Sequence, residues 1–250
     1  MRYFLELAYD GTHYHGWQIQ PNARTVQEIL DDALSKVLRH PITSTGSGRT
    51  DSGVHASQQF VHFDVPEPLQ DVEQLLYRLN KFLPKDIALK RLRPVQEQAH
   101  ARFDALARTY DYHITLQKSP FLRRYAYFLS RQPDVEKMNE AAAILLKHQD
   151  YTTFSKVKGD TPHYLCDISF AEWQQEGSSL IFTIRANRFL RGMVRLVVGT
   201  LLDVGAGKIT PNQFEEIIKA QDRQQASGAA AAEGLYLSKV EYPENLFLPA

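Results

Sequence analysis

The chain of 250 residues has a single cysteine, Cys166, so it can form no internal disulfide and no four-cysteine zinc site. Long apolar runs are missing as well. The start, Met1-Arg-Tyr-Phe-Leu-Glu, lacks the core of a signal peptide, and the most apolar later stretch, Leu196–Leu202, is far short of a spanning helix. No membrane insertion is expected, and the location expected is cytoplasmic. Nor is there an excess of charge of one sign: 29 Lys and Arg balance 29 Asp and Glu, which removes the crude signature of a nucleic-acid binder and leaves local clusters to be examined. The only compositionally biased segment is Gly228–Ala232, so no low-complexity linker divides the chain. The 43% of hydrophobic residues gives ample core for one large domain or two modest ones.

Periodicity supplies the elements. Alternation over Tyr3–Tyr9 reads as a strand. Thr25-Val-Gln-Glu28 is a capping box that opens a helix with Val26, Ile29, Leu30, Ala33, Leu34, Val37 and Leu38 on one face. A strand near Ile42–Thr45, a Gly-rich loop and a strand through Phe60–Phe63 follow. A second helix runs from Asp71 to a stop at Pro84, carrying Leu75, Leu79 and Phe82, and Ile87–Leu92 is again a strand. This β-α-β-β-α-β order is the split β-α-β, ferredoxin-like pattern. The rest repeats it: strands at Thr109–Thr115, Ala126–Leu129, Ile168–Trp173 and Leu180–Ala186, helices at Val135–Leu146 and about Arg188–Val204, a short helix opening at Thr210-Pro-Asn-Gln213, and a last strand at Leu235–Tyr242. The expected fold is α+β, with two ferredoxin-like halves, residues 1–104 and 105–250, each with an antiparallel sheet, and the site in a cleft between them.

Two constellations carry chemistry. Gly46-Ser-Gly-Arg49-Thr-Asp51-Ser-Gly53-Val-His55 joins two strands and is denser in small residues than a hairpin needs, which lets backbone approach a ligand. It is not a dinucleotide fingerprint, because no third glycine is correctly placed and a strand follows. Asp51 could simply close an Asx-turn with Arg49 as its surface partner, or it could be a working carboxylate mounted on a sheet. The second is Asn187-Arg188-Phe-Leu-Arg191-Gly192-Met-Val-Arg195, in a stretch with no acid between Glu176 and Asp203. On a continuous helix Arg188, Arg191 and Arg195 share a face with Gly192 and Gly199, which suits a polyanion lying against it. Arginines and aromatics recur at His100-Ala-Arg102-Phe103 and Arg108-Thr-Tyr110-Asp-Tyr112, where Tyr110 and Tyr112 share one strand face. His13-x-His15 has no accompanying ligand set, and His55, His62 and His100 read as hydrogen-bonded structural residues.

Taken in order, these motifs resemble the tRNA pseudouridine synthase A family from end to end. Tyr9-Asp-Gly-Thr-x-Tyr14-x-Gly-Trp17-Gln-x-Gln20 is similar to the family's opening and Gly48-Arg-Thr-Asp51-Ser-Gly-Val-His55 to its catalytic signature. His100–Phe103, Arg108–Tyr112, Asn187–Arg195 and Gly234-Leu-Tyr-Leu237 follow in the family's order. The resemblance implies isomerisation of uridine to pseudouridine at positions 38, 39 and 40 of the tRNA anticodon arm, without cofactor or metal, by a homodimer. It implies Asp51 as the catalytic carboxylate and Tyr110 packed against the target base. Arg49 and Arg195 become partners of Asp51 or of substrate, and Arg102, Arg188, Arg191 and Asn187 become tRNA contacts. The chain departs from the family at Ser52, where alanine is usual, at Thr109, where a basic residue is common, and at Ser155, where arginine often follows Phe154. Two readings of other classes stand beside this one: a non-catalytic RNA-binding module and a carboxylate-dependent nucleoside hydrolase.

Overall fold

The computed structural model describes residues 1–156 and 163–249, which form two compact units. The first comprises Met1–Leu106 and Tyr236–Ala250, the second Ala107–Leu235. Both are α+β, with mostly antiparallel pairing and, among the described residues, five α-helices in all.

In the first unit, β1 (Arg2–Tyr9) lies between β3 (His55–Asp64) and β4 (Ile87–Pro94), antiparallel to both, and the two-residue β2 (Thr45–Gly46) pairs with β3. Helices α1 (Val26–Leu38) and α2 (Val72–Phe82) begin as the sequence dictates. The Thr25 hydroxyl accepts from the Glu28 N–H, and the Asp71 carboxylate accepts from the Gln74 N–H. Val26, Leu30, Ala33 and Leu34 of α1 and Leu75 and Leu79 of α2 are buried, whereas Phe82 is half exposed beneath Lys36.

The expected strand at Ile42–Thr45 is reduced to its last residue plus Gly46, because α1 captures the backbone before it. The Ile42 N–H donates to the Ser35 hydroxyl at 2.8 Å, and the Ser44 N–H and hydroxyl both donate to the Asp31 carboxylate. Asp31 is buried, and burial pushes its carboxyl up to about 6 against the pull of the Ser44 bonds. A carboxyl raised on folding supports stability fully below its unfolded value near 4 and loses that support as pH rises through about 6. An asparagine in its place would keep the acceptor without the charge. Asp31→Asn should therefore match the wild type near pH 4 and exceed it at pH 8 by on the order of 2–3 kcal/mol. Urea unfolding of both proteins across that range checks this, and a pH-independent difference would rule it out.

The sequence pattern places residues 236–250 in the C-terminal half. In the structure residues 236–250 pack with the first unit, because β9 (Leu235–Glu241) lies parallel to β3, with Tyr236 opposite His55 and Leu237 opposite Ala56. The second unit holds β5 (Ala107–Thr115), β6 (Tyr127–Phe128), β7 (Ile168–Glu176) and β8 (Ser179–Ala186); β8 pairs antiparallel with both β5 and β7, and β6 pairs parallel with β5. Its helices are α3 (Val135–Leu145), α4 (Met193–Gly205) and α5 (Pro211–Lys219), the last opened by a full Thr210/Gln213 capping box.

Helix α4 corrects an expectation. It starts at Met193, so Arg188 and Arg191 precede it and the three arginines do not share a helix face. Two anchors hold the chain out of helix there. The Asn187 amide bonds the Asp167 N–H and carboxylate at 2.9 and 3.0 Å, and Gly192 sits at φ 72°, a left-handed conformation that a right-handed helix cannot include. Gly199 does not open a face for a ligand either. A Cβ there would lie 2.0 Å from the Gly228 carbonyl oxygen, so the glycine admits the chain's own loop.

Candidate active site

The loop carrying Asp51 is fixed at both ends by its strand and by the segment after β1. At its start the Ser47 N–H donates to the Phe60 carbonyl at 2.7 Å. The Ser47 hydroxyl donates to the buried Gln59 side chain, which in turn donates to the Gly48 carbonyl at 3.0 Å. In the middle Thr50 is held twice, by the Tyr9 hydroxyl at 2.9 Å and by the Trp17 N–H, which donates to its carbonyl at 3.2 Å. At its end the Val54 N–H closes a turn on the Asp51 carbonyl at 3.1 Å, with Gly53 at φ 78° inside it. The bond that closes this turn joins main-chain atoms.

Residues 10–17 wrap this loop closely enough to require glycine. Gly16, at φ 89°, would bring a Cβ within 2.4 Å of the Thr50 carbonyl oxygen, and Gly11 would bring one within 2.0 Å of the Val54 carbonyl oxygen. The Tyr14 carbonyl accepts from the Gly53 N–H at 3.2 Å and from the Ser52 hydroxyl at 3.3 Å, a tie that an alanine at position 52 could not make. Below the loop, buried His55 accepts the Gly11 N–H at Nδ1, 3.1 Å, and its ring stacks on Tyr236 at 4.6 Å. The structure thus brings together two motifs that lie far apart in the chain, and Asp51, half buried, is mounted where they meet.

Arg49 is exposed and makes no ion pair among the described residues, so a simple Arg49–Asp51 surface pair is not present. His13 and His15 are exposed, and among the described residues no three His, Cys, Asp or Glu side chains group as a metal set. His62 and His100 each accept backbone N–H groups at Nδ1, as structural histidines do.

In the second unit both tyrosines of β5 are buried. Tyr112 is wholly buried, its hydroxyl donating to the Ala231 carbonyl and its ring close under Gly234. Tyr110, 8% exposed, meets Phe189 edge-on at 5.1 Å. Arg195, the one arginine of the cluster on α4, donates from Nε to the Ala230 carbonyl at 2.6 Å while its own carbonyl accepts the Ala230 N–H at 2.8 Å, which fixes its stem. Arg188 contacts His163 at 3.1 Å, Arg191 is exposed, and the Asn187 carbonyl accepts from Arg108 at 3.1 Å. Arg102 is exposed in the first unit.

Sequence reasoning singled out Asp51 but not the groups that hold its loop: Gln59, Thr50 with Tyr9, and the Gly11 and Gly16 contacts. The signal was present in the two glycines of residues 10–17, a short stretch without strand or helix periodicity.

Residues 7–104 and 141–243 match a family model described as tRNA pseudouridine synthase. The matched stretches contain Asp51 and Arg195 but not Tyr110. The chain is 51% identical over 249 residues to tRNA pseudouridine synthase A of Bacteroides thetaiotaomicron, covering 98% of this chain and 92% of that protein. Identity is 48% to the protein of the same name from Parabacteroides distasonis, covering 98% of each. It is 40% to the one from Bacillus subtilis, covering 97% of this chain and 99% of that protein.

Proposed function

Because the chain belongs to the tRNA pseudouridine synthase family, we propose that it isomerises uridine to pseudouridine at positions 38, 39 and 40 of the tRNA anticodon arm, with Asp51 as the catalytic carboxylate. The single observation that carries the reading is the Asp51 loop, held by main-chain bonds and close glycine contacts on both sides of the carboxylate. We read each unit as a ferredoxin-like half. For the first, the support is the neighbour order β4, β1, β3, β2, antiparallel throughout, with a helix between β1 and β2 and another between β3 and β4.

The reaction conserves every atom of the base except one exchangeable proton. The C1′–N1 bond of uridine breaks, the uracil turns, C5 bonds to C1′, the C5 proton leaves to solvent, and N1 takes up a proton in its place. The target nucleotide must first come out of its stack, and the detached base must be kept from water. Asp51 as an anion serves either as nucleophile toward the nucleotide or as base toward a sugar proton. In this reading Tyr110 packs against the base, with Phe189 holding the ring from its edge. Arg49 and Arg195 partner the carboxylate or the substrate, and Arg102, Arg188, Arg191 and Asn187 contact the RNA. The reading extends to a homodimer in the cytoplasm.

Undermodified tRNA labelled with tritium at uridine C5 tests the proposal. Tritium should appear in solvent in proportion to pseudouridine formed, at three positions at most, with no added cofactor. Released uracil would assign a hydrolase instead, and tight binding without tritium release a binding module.

A further inference from the structure

One aromatic assembly lies outside the machinery described so far. In the first unit Phe103 is 72% exposed, yet its ring is not loose. His100 lies behind it at 4.3 Å between ring centroids, His62 meets His100 edge-on at 4.6 Å, and Phe4 stacks on His62 at 6.3 Å, so a ladder of rings runs from the core outward and ends at Phe103. The turn that presents it is tied at each residue. Ala101 N–H donates to His62 Nδ1, Arg102 and Phe103 N–H donate to His100 Nδ1, and the His100 N–H donates to the Asp104 carboxylate at 2.7 Å. Burial, then Arg2, pushes both imidazoles below the usual histidine range, His62 to about 4, so each Nδ1 stays an acceptor at neutral pH. The Arg102 guanidinium stands 5.6 Å from the centre of the Phe103 ring.

A single exposed phenylalanine is common on protein surfaces. One whose backbone is locked from below, whose ring contributes almost nothing to the core, and over which an arginine guanidinium stands has the features of a stacking platform: an aromatic ring for a base with a cation for the adjoining phosphate. We infer that Phe103, seated on His100 and flanked by Arg102, stacks an unpaired nucleotide of the RNA substrate. The inference rests on the proposed function for its ligand and adds a contact to it.

The placement separates this nucleotide from the reacting uridine. His62 lies seven residues beyond His55 along β3, roughly 23 Å at a strand's rise of ~3.3 Å per residue. The Asp51 loop precedes His55, so the platform serves a second unpaired position on the same RNA and acts on binding rather than on chemistry.

The test measures tRNA binding, single-turnover tritium release at saturating enzyme, thermal melting and sedimentation for the wild type, Phe103→Ala, Phe103→Leu and Phe103→Trp. Loss of a base stack should weaken tRNA binding about five- to a hundredfold in Phe103→Ala. Phe103→Leu should be similarly weak, because a leucine is apolar but has no π-face, and Phe103→Trp should bind as well as wild type. Melting temperatures and saturated rates should be unchanged. Binding of Phe103→Ala within twofold of wild type overturns the inference, as does rescue by leucine. A change in sedimentation without a change in RNA binding assigns the ring to contact between copies and also overturns it. A wild type that neither binds nor converts tRNA refutes the proposed function itself, whereas an active wild type with an equally competent Phe103→Ala refutes only the platform.

Discussion

Asp51→Asn is expected to abolish pseudouridine formation while the protein stays folded and still binds tRNA. Asparagine matches aspartate in size, and the turn at this position closes between the Val54 N–H and the Asp51 carbonyl, a bond the substitution leaves in place. Ties to Tyr9, Trp17, Tyr14 and Gln59 hold the loop at Thr50, Ser52, Gly53 and Gly48, on either side of residue 51. Stability should thus change by at most about 1–2 kcal/mol, the range for loss of a local polar bond. A neutral amide can serve neither as an anionic nucleophile nor as a competent base, so the loss of rate should reach the detection limit. Single-turnover tritium release read beside urea unfolding makes the comparison. Near-normal turnover in the folded variant would return Asp51 to the role of a turn residue.

Gly16→Ala should do the opposite and damage rate and stability together. At φ 89° an alanine is strained on its own account, and its Cβ would meet the Thr50 carbonyl oxygen at 2.4 Å and the Asp51 carbonyl carbon at 3.1 Å. Those are backbone atoms, which cannot rotate aside as a side chain could. Relief therefore requires the loop to shift, carrying Asp51 with it. Strain and lost bonds together should cost about 2–4 kcal/mol, and a displacement approaching 1 Å of a reacting group costs up to about a hundredfold in rate. Thermal melting and single-turnover assays at a temperature where the variant is folded separate the two effects. A variant with wild-type rate per folded molecule would show that the loop tolerates movement.

The contrast between these substitutions marks what could be read from the residues alone. Asp51 stood out because an acid among glycines on a long strand connection is a local pattern. Gly16 is visible only as one of two glycines in an unpatterned stretch, and its partner, the carbonyl of Thr50, lies far along the chain with no periodicity to link them. The same division holds for the fold. Helices α1, α2 and α5 announced their starts through Thr25, Asp71 and Thr210, whose side chains act within a single turn. The start of α4 was misplaced by about a turn because the residue that holds the chain away, Asn187, does so through Asp167, twenty residues upstream on another segment. Residues 42–44 have the β-branched character of a strand, but their backbone donors went to Ser35 and Asp31, side chains on a helix already counted as amphipathic and complete. Arg195 and Gly199 were read as an open basic face. Their neighbours at residues 228–230 come from a small-residue loop whose composition predicts no destination.

The parallel strand β9 also bears on how the protein is made. A ribosome releases residues 107–235 before residues 236–241, so the residues of the second unit are all made while the first still lacks a strand. The buttress of the Asp51 loop is affected directly: His55 obtains its stacking partner only once translation has reached Tyr236. Closing β3 against β9 joins residues some 180 positions apart, a slow kind of contact. A chain cut short before residue 236 keeps Asp51 and every residue of the loop around it, yet is born without the strand that lies beneath them.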